Sequence, residues 1–168
     1  MYLAAVLHDI RSLHNVGSIF RTADGAGFSK LYLCGITPEP VDRLGRVRPD
    51  LAKVALGAER LVAWEHARST VTALKKLKKN GWTIYALEQA AGSAQYDTFL
   101  ISNSQFLKES DTKIALVVGN EVEGLPKKIL ALADAILEIP MYGAKESLNV
   151  SVAFGIVAFH FAVQSGRV

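Results

Sequence analysis

Short apolar runs recur along this chain, separated by segments of helical period, and that alternation limits its fold more than any other feature. It is the pattern of an α/β domain built on a mostly parallel sheet flanked by helices. Strands are expected at residues 3–8, 30–34, 82–87, 114–118 and 135–139, with a short one near Leu61 and Val62. Helices are expected at 16–26, 51–56, 65–79, 127–132 and 148–164. At 168 residues, half of them hydrophobic, the chain can bury one core and is too short for two ordinary domains. A single domain over residues 1–168 is therefore expected, without linker, internal repeat or low-complexity segment.

The charge pattern narrows the function classes. A charged fraction of 21% marks a globular chain, and the formal net charge of +3 agrees with a polyanionic partner without requiring one. The lone cysteine, Cys34, ends an apolar run and reads as a buried structural thiol, which places the protein in a reducing cytoplasm. Residues 1–7 are apolar but have no basic leader, and His8, Asp9 and Arg11 follow at once, so a first strand is expected and not a signal peptide. The apolar stretch at 150–163 contains Ser151 and His160 and is shorter than the roughly 20 residues that span a bilayer. No His/Cys cluster has metal-ligand spacing. The lysines between Leu74 and Lys79 suit a solvated helix end, where the dipole favours cations. Arg43, Arg46, Arg48 and Lys53 lie in or beside a Pro- and Gly-containing loop after a strand, and are candidates for RNA phosphate contacts.

Three segments can carry chemistry. In the first, Asn15 to Phe28, helical spacing puts Val16, Ile19, Ala23 and Ala26 on a core face and Arg21 opposite them. Gly17, Ser18 and Gly25 flank Arg21 and leave room for a bulky group, although each glycine costs a helix about 1 kcal/mol relative to alanine. Asn15 as a helix cap and Arg21 as a surface cation explain the segment equally well. In the second, the apolar run 114–118 stops at Gly119, and a turn with Glu121, Glu123 and Gly124 leads to Pro126. Ligands of open α/β sheets bind beyond such carboxyl ends of strands. In the third, Ile139 to Ser151, a strand again ends in a loop; Ser147 is a candidate cap and Asn149 falls in the first helical turn.

Together these segments resemble the three motifs of the SpoU family, within the SPOUT superfamily of methyltransferases. The first resembles its Asn-x-Gly…Arg-Thr-Ala segment. The second resembles its Gly-x-Glu-x-x-Gly-Leu turn through Gly119, Glu121, Gly124 and Leu125, and the third its Ile-Pro-Met-x-Gly…Ser-Leu-Asn-Val-Ser stretch through residues 139–151. Order and spacing also fit, over nearly the whole chain. The resemblance implies an α/β fold whose C-terminal segment forms a deep trefoil knot, a topology that general chain rules disfavour. It further implies S-adenosylmethionine as cofactor, held by Gly119, Glu121, Ile139, Met141, Gly143, Ser147 and Leu148. A homodimer is implied too, and the last helix, apolar nearly all round, has more apolar surface than one buried stripe accommodates. Many relatives carry extra RNA-binding segments, whereas this chain has essentially the catalytic domain, which leaves the substrate open.

The activity implied is methylation of a ribose 2′-hydroxyl in transfer or ribosomal RNA, without a metal. Such a transfer needs in-line approach, a deprotonated or polarised hydroxyl and exclusion of water. Arg21 is the expected catalytic residue, with Asn15 orienting the ribose or Arg21 and Asn149 supporting the reacting geometry. The family assigns the arginine as proton acceptor; a guanidinium with a pKa above about 12 is better suited to binding phosphate and stabilising an oxyanion. Methylation of a base, or RNA binding without catalysis, are the alternatives on the same fold.

Overall fold

The computed structural model describes residues 1–103, 105 and 111–166. In chain order the described elements are β1 (Tyr2–His8), α1 (Leu13–Gly25), β2 (Lys30–Cys34), α2 (Pro49–Ala55), α3 (Ala58–Leu61), β3 (Ala63–Ala67) and α4 (Thr70–Lys79). There follow β4 (Thr83–Leu87), β5 (Ala94–Gln95), α5 (Tyr96–Ser102), β6 (Lys113–Val118), α6 (Lys127–Leu130), β7 (Ala135–Glu138) and α7 (Val150–Gln164). The strands form one sheet in the order β3-β2-β1-β6-β4-β7-β5, and every pairing is parallel.

Helices cover both faces, which is why the central strands are continuously apolar. Leu3, Ala5 and Leu7 of β1 pack with Val16, Ile19 and Phe20 of α1 and with Phe154, Val157 and Phe161 of α7. Ala4 and Val6 point the other way, into a second cluster with Leu74 and Leu77 of α4 and Ile129 of α6. Cys34 is fully buried in that second cluster, and burial pushes its thiol pKa up to about 11. Among the described residues, no helix is long and apolar enough to cross a membrane.

The helix expected at 65–79 is two elements. Residues 63–67 pair with β2 as an edge strand, and Ser69 then caps α4, its hydroxyl accepting from the Thr72 N–H. The strand expected near Leu61 and Val62 begins at Ala63, because α3 occupies Ala58–Leu61. Gly17 does not make room for a ligand. A Cβ there would stand 2.6 Å from the Leu51 carbonyl oxygen, so its missing side chain lets α2 lie directly on α1. A Cβ on Gly25 would contact the Phe159 ring of α7 at 3.4 Å. Helix packing therefore explains Gly17, whereas a Cβ at Gly25 would make only an ordinary contact.

Candidate active site

The sheet order puts the ends of β4, β6 and β7 side by side, and a cleft of about 500 Å³ opens beyond them. Its wall comes from residues 87–89 after β4, the turn from Gly119 to Gly124 after β6, and Ile139 and Met141 after β7. Ser147, Leu148 and Asn149, with Val150 and Ala153 at the start of α7, complete it.

The turn after β6 is built tightly. A Cβ on Gly119 would approach the Gly124 carbonyl carbon to 2.5 Å, so only glycine fits. The Gly124 N–H donates to the Asn120 carbonyl at 3.0 Å, and the Asn120 side-chain oxygen accepts from the Val122 and Glu123 N–H groups. The Asn120 amide donates to the Asp9 carbonyl at 2.7 Å, which fastens the turn to the end of β1. From β4, Glu88 accepts the Leu125 N–H at 2.7 Å. Gly124, at φ +64°, leaves the space that the Glu88 carboxylate fills.

Because β1 and β6 are neighbours, the chain leaving β1 passes the turn that leaves β6. Ser12 caps α1 there, accepting from the Asn15 N–H at 3.2 Å. Asn15 is thus free of the capping role its sequence position suggested. Its side-chain amide donates to Glu121 Oε1 at 2.9 Å, and the N–H groups of Arg11 and Ser12 donate to the same carboxylate. Burial raises the Glu121 pKa, but the hydrogen bonds from Arg11, Asn15, its own N–H and Ser12 outweigh it and hold it below the ordinary carboxylate value. On its other side, Asn15 Oδ1 accepts from the Asn149 side-chain amide at 3.1 Å. Asn149, and not Ser147, is the N-cap of α7, accepting from the Ser151 N–H at 2.9 Å. One hydrogen-bonded chain therefore joins all three segments: Glu121, Asn15, Asn149 and Ser151.

Gly119, Glu121, Ile139, Met141, Ser147 and Leu148 line the cleft, together with Asn149. Gly143 does not; residues 142–146 loop outwards, and a Cβ on Gly143 would meet no atom within 4 Å. Nor does Arg21 line it. It is exposed on α1 without an ion pair or hydrogen bond among the described residues, about 9 Å along the helix axis from Asn15. Arg43 and Arg48 belong to the β2–α2 connection and do not line the cleft, and Arg46 is clasped by Asp42 with both contacts at 2.8 Å.

Glu88, Gln89, Asn120 and Glu138 are site residues that pattern reading passed over. Glu88 and Glu138 each sit at the carboxyl end of an apolar strand, and that position was the available signal. Among the described residues, three carboxylates, Glu88, Glu121 and Glu138, line the cleft, and no lysine or arginine does. Such a wall disfavours a phosphate-bearing ligand and suits one that carries positive charge. Among the described residues, no group of three or more His, Cys, Asp or Glu side chains is placed to hold a metal ion.

A parallel α/β sheet with an acidic cleft at its carboxyl edge, and the hydrogen-bonded pair Asn15 and Asn149 beside it, defines an α/β protein whose candidate site lies at the strand ends. More narrowly, the chain belongs to the SpoU rRNA Methylase family, whose sequence profile matches residues 2–159. It is 34% identical over 160 residues to the 23S rRNA (guanosine-2′-O-)-methyltransferase RlmB of Ralstonia nicotianae, covering 94% of this chain and 57% of that protein. It is 29% identical over 160 residues to the tRNA (guanosine(18)-2′-O)-methyltransferase of Borreliella burgdorferi, covering 94% of this chain and 65% of that protein. The chain thus spans less than two thirds of these curated relatives. Among solved structures, the TrmH/SpoU tRNA modifying enzyme of A. aeolicus superposes with a TM-score of 0.80 at 28% identity, covering 98% of this chain and 76% of that one. The AdoMet-bound rRNA methyltransferase of Sinorhizobium meliloti gives 0.81 at 28% identity, covering 95% of this chain and 55% of that one.

Proposed function

We propose that this chain transfers a methyl group from S-adenosylmethionine to a ribose 2′-hydroxyl of ribosomal or transfer RNA. The observation that carries the proposal is the Glu121–Asn15–Asn149 chain of hydrogen bonds beside a cleft that Glu88, Glu121 and Glu138 make acidic, with no basic residue in its wall among the described residues. A cleft of about 500 Å³ accommodates a nucleoside-sized ligand, and its carboxylates suit ammonium and sulfonium charges. The names of the relatives, which act on ribosomal and transfer RNA guanosines, support the same activity.

In this reading Gly119, Glu121, Ile139, Met141, Ser147 and Leu148 hold the cofactor, which when bound supplies an electrophilic methyl group. Gly143, outside the cleft wall, is left out of that set. Asn15 and Asn149 fix each other and orient the ribose at the cleft mouth. Arg21, exposed and unpaired, grips an RNA phosphate and stabilises the developing oxyanion; its charge is too permanent for a general base. Arg43 and Arg48 contact phosphates farther along the RNA, whereas Arg46 acts through its clasp on Asp42.

The family resemblance supports two structural inferences. Residues 139–149 thread a loop to form the trefoil knot, in keeping with their place in the same cleft wall as the β6 turn and Glu88. The enzyme is a homodimer, since Val152, Phe159 and Val163 of α7 are each about half exposed on the side away from its buried Phe154, Val157 and Phe161. We assign residues 1–168 to one catalytic domain and the enzyme to the cytoplasm. Two measurements test the activity: calorimetric titration with S-adenosylmethionine, and nucleoside mass spectrometry of RNA from a deletion strain incubated with enzyme and cofactor. Cofactor binding and a new 2′-O-methyl nucleoside are expected. A methyl group on a base, or no transfer to any stable RNA, overturns the proposal.

A further inference from the structure

The connection from β2 to α2 is not a slack loop. Val41 and Val47 form an antiparallel bridge, the Asp42 N–H donates to the Arg46 carbonyl at 2.8 Å, and the Gly45 N–H donates to the Asp42 carbonyl at 2.9 Å. The Asp42 carboxylate fills the turn. It accepts the Leu44 N–H at 2.8 Å, the Arg46 N–H at 3.0 Å and the Arg46 guanidinium at 2.8 Å. Gly45, at φ +75°, closes the turn in a conformation that side chains disfavour. A hairpin held this firmly nonetheless leaves Leu44 76% exposed at its tip, beside an exposed Arg43 that has no partner among the described residues.

Both ends of the hairpin are fastened to the segment that carries the site. The Ile36 N–H donates to Asp9 Oδ1 at 3.0 Å, and the Thr37 hydroxyl donates to the Leu7 carbonyl and accepts the Ile10 N–H. After the hairpin, α2 begins at Pro49 and lays the Leu51 carbonyl against Gly17, one turn before Arg21. The finger is therefore rigid relative to α1.

A ribose 2′-hydroxyl reaches a cofactor in a cleft more readily once its nucleotide leaves the helical stack, and apolar wedges are one means of unstacking. One exposed leucine offers far less than the roughly 800 Å² per partner of a stable protein interface, but it matches the face of one base. Residues 41–53 contain four cations (Arg43, Arg46, Arg48 and Lys53) and two acids; the Arg46–Asp42 pair cancels, which leaves Arg43, Arg48 and Lys53 against Asp50. That balance favours a polyanion. Resting on the RNA methyltransferase reading above, we propose that the hairpin at residues 41–47 is an RNA-reading finger: Leu44 inserts against an unstacked base while Arg43 holds the adjoining phosphate.

The test is steady-state methyl transfer by the full chain to ribosomal and transfer RNA fractions from a deletion strain, with wild type, Leu44→Ala, Arg43→Ala and Asp42→Ala. Leu44→Ala should raise the RNA KM about tenfold, as expected for one lost base contact, and leave S-adenosylmethionine affinity unchanged. Arg43→Ala should weaken RNA binding at every sequence and flatten the log–log salt dependence by about one. Asp42→Ala should also raise the RNA KM, although removing an acid from a surface that merely attracts RNA by charge would lower it. Unchanged RNA KM values in Leu44→Ala and Asp42→Ala, beside an active wild type, overturn the finger and leave the activity standing. A wild type that binds cofactor and methylates no RNA overturns the activity and the finger with it. A Leu44→Ala variant whose sedimenting mass halves makes the tip a contact between copies of the chain, which also overturns it.

Discussion

Arg21 and Glu121 lie in opposite surroundings. Arg21 is exposed on α1 and unpaired, so Arg21→Ala should change stability by no more than about 0.5 kcal/mol. Methyl transfer should nevertheless fall by about two to three orders of magnitude, comparable to losing one oxyanion-stabilising donor. Cofactor affinity should hardly change, because Arg21 is not in the cleft wall. Arg21→Lys keeps the charge but loses the planar fork, so rescue by lysine indicates charge stabilisation and its failure indicates geometric grip on phosphate. Near-normal turnover in Arg21→Ala would show that the active site is elsewhere. Glu121, by contrast, is the acceptor on which three donors converge, and its pKa is depressed. A depressed carboxyl stabilises the fold above its unfolded pKa of about 4.3, and that contribution fades as pH falls through the lower folded value. The stability gap between wild type and Glu121→Gln should therefore be full at pH 6 to 7 and narrow on acidification below about pH 4, as urea unfolding across that range would reveal. A gap independent of pH would mean that the carboxylate charge does not hold the three segments together.

At the scale of elements, Gly17 joins α1 to α2. Substituting alanine should help an isolated helix by about 1 kcal/mol. Here it puts a Cβ 2.6 Å from the Leu51 carbonyl oxygen, and overpacking of that kind costs about 1–3 kcal/mol. Gly17→Ala should accordingly lower the urea midpoint, where a rise would show that α2 can move away freely. Local pattern cannot reveal such a contact, and that is why Gly17, one turn before Arg21, looked like space for a ligand. The buried strands were legible for the opposite reason. Leu3, Ala5 and Leu7 face one helical layer and Ala4 and Val6 the other, so both faces of β1 are apolar and the run is unbroken. The edge strand β3, with Glu65 and His66, lacks that signal and merged with α4 into one apparent helix. Two-residue β5 was too short to show a period, and α5 was passed over. The β6 turn and the β7–α7 loop could be recognised as polar strand ends. Glu88 could not be joined to them without the sheet order, because its partner, the Leu125 N–H, lies 37 residues away. Likewise, the helix caps at Ser12 and Asn149 are set by side-chain geometry that local pattern does not carry.

For the whole molecule, the decisive element is α7, which has apolar residues on more sides than one core can take up. Phe154, Val157 and Phe161 are fully buried against the sheet, while Val152, Phe159 and Val163 are exposed to 51%, 45% and 52%. The exposed three are spaced by seven and four residues and so form one stripe along the helix. Phe159 also lies over Gly25 of α1, which carries the apolar surface on to the helix that holds Arg21. Solvent contact along such a stripe is unfavourable by about 25 cal/mol for each Å² of apolar surface left exposed, and a second copy of the same stripe would cover it symmetrically. Wild type at micromolar concentration should therefore sediment with twice the mass of one chain. Val163→Glu puts a charge in the stripe at an exposed position, so it should shift sedimentation towards one chain without unfolding the protein, checked by an unchanged circular dichroism spectrum. The stripe also lies close to the helix that carries Arg21. If the second chain supports the active site, Val163→Glu should also lose methyl transfer in proportion to the fraction of single chains, with activity returning as protein concentration rises. A wild type that sediments as one chain throughout the micromolar range would remove the dimer and leave the apolar stripe exposed to water.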